Sequence, residues 1–123
     1  MSMKRVLVGL VVTPALMGSA VAGPLEDGTA AIRHGDYTTA LRLAEPLAER
    51  GDAEAQYNLG FMYAVGQGVR QDFVRAYMWL DLAAAQGYPD AISYRDRVAA
   101  NMTSDQLAEA RRLAREWKPK TPP

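Results

Sequence analysis

The sequence has no cysteine, a single histidine and no surplus charge of either sign, 14 basic residues facing 14 acidic ones over 123 positions. Each shortage closes off a class of function. Without cysteine there can be no disulfide framework, thiolate metal site, cysteine nucleophile or lipid-modified N-terminal cysteine. Without excess lysine and arginine the chain lacks the charge that supplies most sequence-independent affinity for nucleic acid, which is therefore not an expected partner. His34 and the scattered carboxylates match no ligand spacing, so no metal and no other cofactor is expected. Ser19, Ser93 and Ser104 lack the glycines of a nucleophile elbow. The apolar run from Val6 to Met17 has only 12 residues; as a helix it would reach about 18 Å, short of a hydrocarbon core of about 30 Å. The length bounds the chain to one small domain.

What is present begins with an address. Lys4 and Arg5 precede that apolar run, and Ala20-Val21-Ala22 places small side chains at the spacing a signal peptidase reads. Residues 1–22 are expected to be a signal peptide, with retention as an uncleaved anchor as the alternative. Cleavage after Ala22 would leave 101 residues from Gly23, with 12 basic and 14 acidic groups, and no stable membrane span. The protein is then exported, to the periplasm or beyond, and is expected to be a monomer.

From Pro24 onward Ala, Leu, Arg, Glu and Gln dominate, strand-type alternation is missing, and Gly35, Gly51, Gly66, Gly68 and Gly87 punctuate segments of ordinary helical length. Shifting the sequence by 36 residues aligns Asp36 with Asp72, Tyr37 with Phe73, Ala40 with Ala76, Ala48 with Ala84 and Gly51 with Gly87. A period in the thirties marks stacked helical hairpins, each too thin to bury its own apolar face. The expected fold is all-α: a short α-solenoid of three stacked helix-turn-helix hairpins, six helices at 24–34, 36–50, 52–65, 71–86, 89–101 and 104–117. Asp36, Asp52 and Asp72 are placed to cap first turns, and Thr103 with Gln106 has the capping-box spacing. Pro89 suits a first turn. Pro46 lies inside the second segment, where a missing donor and a crowded ring predict a kink or an early end.

Ala55, Leu59, Gly60, Tyr63, Gly66, Gly68, Val69, Asp72, Ala76, Trp79, Ala83, Ala84 and Gly87 form a pattern over the middle of the chain. It resembles the Sel-one-like repeat family, a subclass of tetratricopeptide-like helical hairpins. Gly60, Ala76 and Ala83 are small where helices would cross, and Leu59, Tyr63 and Trp79 large where they would interdigitate. The flanks match less well: the unit around Gly35-Asp36-Tyr37 lacks the longer glycine loop, and the third puts Arg95, Asp96 and Ala99 at the positions of Leu59, Gly60 and Tyr63, as an end unit facing water should. Leu107, Ala110, Leu113, Ala114 and Trp117 share one face of the last helix, which reads as a C-terminal cap. The helical-repeat domain thus covers 23–117, and the proline-rich 118–123 is expected to be a disordered tail.

Several residues invite chemistry and have plainer explanations. His34 suits the end of a helix, where exposed carbonyls favour a partly positive imidazole. Glu26 with Asp27 and Glu49 with Asp52 lie near helix starts, and Gly66-Gln67-Gly68 has neither the preceding strand nor the following Lys-Ser/Thr of a phosphate loop. Arg111, Arg112, Arg115, Lys118 and Lys120 make either a solvated face or a contact for an anionic partner or leaflet. No catalytic residue is assigned and the protein is not expected to be an enzyme.

The resemblance implies an adaptor or scaffold that binds a protein or peptide; an enzyme-like or binding protein acting on envelope or peptidoglycan-related ligands is the alternative, although the family members so linked are cysteine-rich. It further implies that the first helix of each pair lines a groove. The packing register then turns Glu54, Tyr57, Phe61 and Ala64 toward it, with Asp90, Ser93 and Arg97 on the next such helix. Glu54, Tyr57, Phe61, Asp90, Ser93 and Arg97 are the candidate protein-binding residues, with core burial of Tyr57 and Phe61 as the alternative.

Overall fold

The structure, a computed structural model, describes residues 24–121. The expected signal peptide over 1–22 lies outside the described residues. Those residues form six helices and no strand: α1 (Pro24–Arg33), α2 (Tyr37–Glu49), α3 (Ala53–Val65), α4 (Phe73–Ala85), α5 (Ala91–Ala99) and α6 (Ser104–Glu116). Each of α1 to α5 packs on the helix that follows or precedes it in the chain, giving the short helical stack that the repeat implied.

The helix ends follow from their capping residues. Asp36, Asp52 and Asp72 accept hydrogen bonds from the backbone amides of Thr39, Ala55 and Arg75 at 3.2, 2.9 and 3.0 Å, each satisfying a donor that a first turn leaves open. Thr103 and Gln106 close a reciprocal box at 3.1 and 2.9 Å. The early end that Pro46 made one alternative does not occur: α2 runs on to Glu49, close to the expected 36–50 span, with the ring's missing donor and crowding of the preceding turn borne inside the helix. The expectation about Pro89 needs correction. Pro89 precedes α5 rather than opening it, and Asp90, with φ 67°, makes no side-chain cap.

Ten of the sixteen buried hydrophobic residues among those described are alanines, so the helices approach closely and the few large side chains fill what space remains. At the α3–α4 crossing a β-carbon on Gly60 would stand 2.8 Å from Leu80 Cγ and 3.2 Å from the carbonyl oxygen of Ala76. Gly68, at φ 79°, brings the α3–α4 loop against the start of α2, where a β-carbon would meet the Tyr37 carbonyl oxygen at 2.9 Å. A pair of amides, buried Gln56 and exposed Gln86, pins the first two repeats together. Gln86 Nε2 donates to Gln56 Oε1 at 2.9 Å and to the Gly51 carbonyl at 2.8 Å, while Gln56 Nε2 donates to the Ala48 carbonyl at 3.3 Å.

The last pair of helices departs from a closed hairpin: α6 lies against α4 rather than tightly along α5. The reason is in the side chains. α5 buries only Ala91 and Val98, whereas α4 offers Tyr77, Trp79 and Leu80, and Trp117 meets Trp79 edge-to-face with centroids 6.1 Å apart. Beyond α6, residues 118–121 carry no regular secondary structure. This part of the expected tail is nevertheless tethered, because Lys120 hydrogen-bonds Glu49 through both backbone and side chain.

Candidate interaction face on the first helices

The first helices of the three pairs, α1, α3 and α5, share one side of the stack. On α1, Thr29 Oγ1 donates to Glu54 Oε1 and accepts from Asn58 Nδ2, both at 3.3 Å, so Glu54 joins α1 to α3 instead of standing free. Next along α3 come Tyr57 and Phe61, each partly exposed. Their rings continue onto the following unit: Tyr57 lies 4.8 Å from Tyr88 and 6.0 Å from Tyr94, and Phe61 lies 6.1 Å from Tyr94, between centroids. The Arg97 guanidinium sits over the Tyr94 ring at 5.0 Å, a cation–π contact that orients it. Arg97 makes no ion pair among the described residues, so this oriented cation has no carboxylate partner.

Burial raises the phenol pKa of Tyr57, Tyr88 and Tyr94, and neighbouring acids add to it: Asp90 at Tyr57, Glu54 foremost at Tyr88. These phenols stay neutral and able to donate hydrogen bonds. The face therefore has an acidic end at Glu54 and Asp90, a band of aromatic rings, and a cationic end at Arg97. Beside Arg97 a cleft of about 280 Å³ is lined by Ala64, Phe73, Tyr94, Arg97, Val98 and Asn101. That is room for one or two apolar side chains, with polar groups at the rim.

Among the six candidate residues, Tyr57, Phe61 and Arg97 converge on this band. Glu54 flanks it. Asp90 acts on the Tyr57 and Tyr88 phenols through its charge, and the Ser93 hydroxyl donates to the Asp90 carbonyl at 3.1 Å, a local bond within the first turn of α5. Ala64, expected on the same face, is buried. Tyr57 and Phe61 fall between the two alternatives of groove and core, since Phe61 packs on one core cluster and Tyr57 on the other while both keep exposed area. Tyr88 and Tyr94 were missed. Tyr94 shares the helical spacing of Asp90 and Arg97 and was legible by that rule. Tyr88, in the link between α4 and α5, follows no helical period.

Elsewhere several charged groups are engaged. Arg112 bridges Glu109 and Glu116, each at 2.7 Å, Arg111 Nε reaches the Tyr77 hydroxyl at 3.5 Å, and Arg95 pairs with Asp81 at 2.8 Å while lying over the Tyr77 ring. His34 is exposed. Among the described residues no three His, Asp or Glu side chains gather as a metal site would need, and no helix is long and apolar enough to cross a membrane.

Comparison with known proteins agrees with this architecture. The Sel1 repeat model matches residues 21–52 and 53–88, the spans that contain α1 with α2 and α3 with α4. The chain belongs to the Sel1 repeat family. Over 74 residues, 55% of this chain and 16% of the relative, it is 34% identical to the alginate biosynthesis protein AlgK of Azotobacter vinelandii. Over 49 residues, 40% of this chain and 10% of the relatives, it is 41% identical to the DAP3-binding cell death enhancer 1 proteins of rat and mouse. The chain thus spans a sixth or less of the length of these Sel1-repeat relatives. No solved structure gives a significant match. Sel1 repeats generally mediate protein–protein interaction, so the family and the exposed ring band point to the same kind of use.

Proposed function

We propose that this protein is an exported, monomeric adaptor whose Sel1 repeats bind an extended segment of a partner protein across α3 and α5, without catalysis. One observation carries the reading: Tyr57, Phe61, Tyr88 and Tyr94 form a continuous, partly exposed aromatic band next to the Arg97 guanidinium, which makes no ion pair among the described residues. Aromatic rings and arginine are the side chains most often found as binding anchors. The groups whose ionisation is shifted on this face are phenols moved away from neutrality, the opposite of the tuning that general acid–base chemistry needs. Export rests on Lys4, Arg5, the Val6–Met17 run and the Ala20-Val21-Ala22 site. The names of the relatives, one concerned with alginate biosynthesis and one with DAP3 binding, fit a role inside larger assemblies.

Tyr57→Ser and Phe61→Ser separate binding from folding. Capture of a defined protein from envelope extract should be lost in both variants, with melting lowered only slightly. If both variants unfold, the rings are core and the face is withdrawn. If the unaltered protein is retained on purified cell wall instead, the adaptor reading gives way to an envelope-ligand binder. Mass measurement of the envelope-fraction protein should find Gly23 as its first residue; an intact Met1 in the cytoplasm would refute export.

A further inference from the structure

The far side of the stack carries a second feature that the aromatic band does not use. At the C-terminal end of α2 the Glu49 carbonyl is one of the acceptors that a helix end leaves open, and the helix dipole and the Glu49 carboxylate both favour a cation there, while Arg50 lines the neighbouring cleft with Gly51, Trp117 and Pro119. The chain's own residues 117–121 satisfy both demands. The Lys120 amide donates to the Glu49 carbonyl oxygen at 2.7 Å, and Lys120 Nζ pairs with Glu49 Oε2 at 3.0 Å. Trp117 leaves α6 at φ −66°, ψ 140°, an extended conformation close to polyproline II. Trp117 and Pro119 both lie over Gly51, and the indole packs on Trp79.

This attachment is slight. Lys120 is 70% exposed and Glu49 34% exposed, and exposed ion pairs contribute little. One backbone hydrogen bond and two ring contacts do the rest. Next to it an open cleft of about 280 Å³ is lined by Glu45, Glu49, Tyr63, Arg75 and Trp79, among others. Glu45, one helical turn before Glu49, lies within electrostatic reach of the Arg75 guanidinium in the same cleft.

We propose that the Glu49–Gly51–Trp79 corner is a second interaction surface, which takes an extended, lysine- and proline-containing segment of a partner protein and is occupied in cis by the protein's own residues 117–121. The tail shows the chemistry the corner accepts: an amide donor for the helix-end carbonyl, an ammonium for Glu49 and a proline against Gly51. A partner displaces it by presenting the same amide, ammonium and proline groups in trans. Because the tail is tethered, the incoming segment competes with an effective concentration on the order of millimolar, so the strap sets a threshold for binding. This surface does not depend on the aromatic band, and Tyr57→Ser leaves it untouched.

The test uses the full chain and a peptide, N-acetylated and C-amidated Lys-Pro-Lys-Thr, followed by the amide signal of Gly51 and the indole signal of Trp79. Lys120→Glu, which repels the tail from Glu49 and leaves Trp117 in place, should bind the peptide about tenfold more tightly than the unaltered protein. Adding Glu49→Gln to Lys120→Glu should remove that gain, and a Gln-Pro-Gln-Thr control should not bind. Four results would overturn the proposal. They are equal affinity for Lys120→Glu and the unaltered protein, no binding to either, insensitivity to Glu49→Gln, and a melting temperature of Lys120→Glu so reduced that the tail is a structural clamp. Light scattering adds one more: a dimer of the unaltered protein formed through exchanged tails would assign the corner to a second copy of this chain.

Discussion

At Gly60 the absence of a side chain is what sets the distance between α3 and α4. A β-carbon there would press on Leu80 Cγ at 2.8 Å, and Leu80 is fully buried with nowhere to yield. Gly60→Ala is therefore expected to lose about 1–3 kcal/mol, the usual range for overpacking, although alanine favours a helix over glycine. A melting curve unchanged from the unaltered protein would mean that the crossing is looser than the geometry shows. Trp79 is the converse case, a large side chain in an alanine-rich core. Removing it in Trp79→Ala should cost about 3–5 kcal/mol of a total stability of about 5–10, read by circular dichroism as a sharply lowered melting temperature. Both roles were legible, because small residues at a crossing and large ones beside it are distinguishable by helical spacing. The close approach of Gly68 to the Tyr37 carbonyl was not, since it joins two segments far apart in the chain.

The helices are held as units by their caps, and the caps make separable predictions. Thr103→Ala removes the hydroxyl half of the box that starts α6, leaving the Thr103 amide to Gln106, and should cost about 1 kcal/mol, read as a modest fall in melting temperature with the helical signal retained. At α2 the hydrogen bonds with Thr39 lower the Asp36 carboxyl below its ordinary value. A carboxyl depressed in the folded state stabilises above its unfolded pKa, near 3.8, and that stabilisation is lost as pH falls through the folded value. Asp36→Asn keeps the cap without the titration, so its melting temperature should fall less between pH 5 and pH 2 than that of the unaltered protein. An identical acid dependence would place the sensitivity elsewhere. Helix number, order and caps were readable because each is signalled within a few residues. The position of Pro89 outside α5 was not, because the left-handed Asp90 that follows it delays the helix start to Ala91.

Across the whole molecule, the repeats do not stand alone. α6 returns past α5 to pack on α4, with Ala110 fully buried and Leu107 against the cluster of Tyr77, Leu80 and Val98, and Trp117 against Trp79. This closure was only half legible: the apolar face of α6 showed that it would cap the stack, but its choice of α4 follows from the charged surface of α5, which Arg95 turns toward Asp81. The aromatic band was readable on α3 and incomplete on α5 for a related reason, since Tyr88 is brought to Tyr57 by the α4–α5 link and not by helical period. A stack this short has no interior repeat whose two faces are both covered without help from its neighbours, and nearest-neighbour contacts are what stabilise such arrays. Ending the chain after Asn101 uncovers Tyr77, Leu80 and Trp79 together. The expected outcome is loss of the single cooperative melting transition, with stability reduced by about 3 kcal/mol or more. If the shortened chain instead keeps a sharp transition at nearly the original temperature, the first two repeats fold independently, and α6 serves the tail and its corner rather than the core.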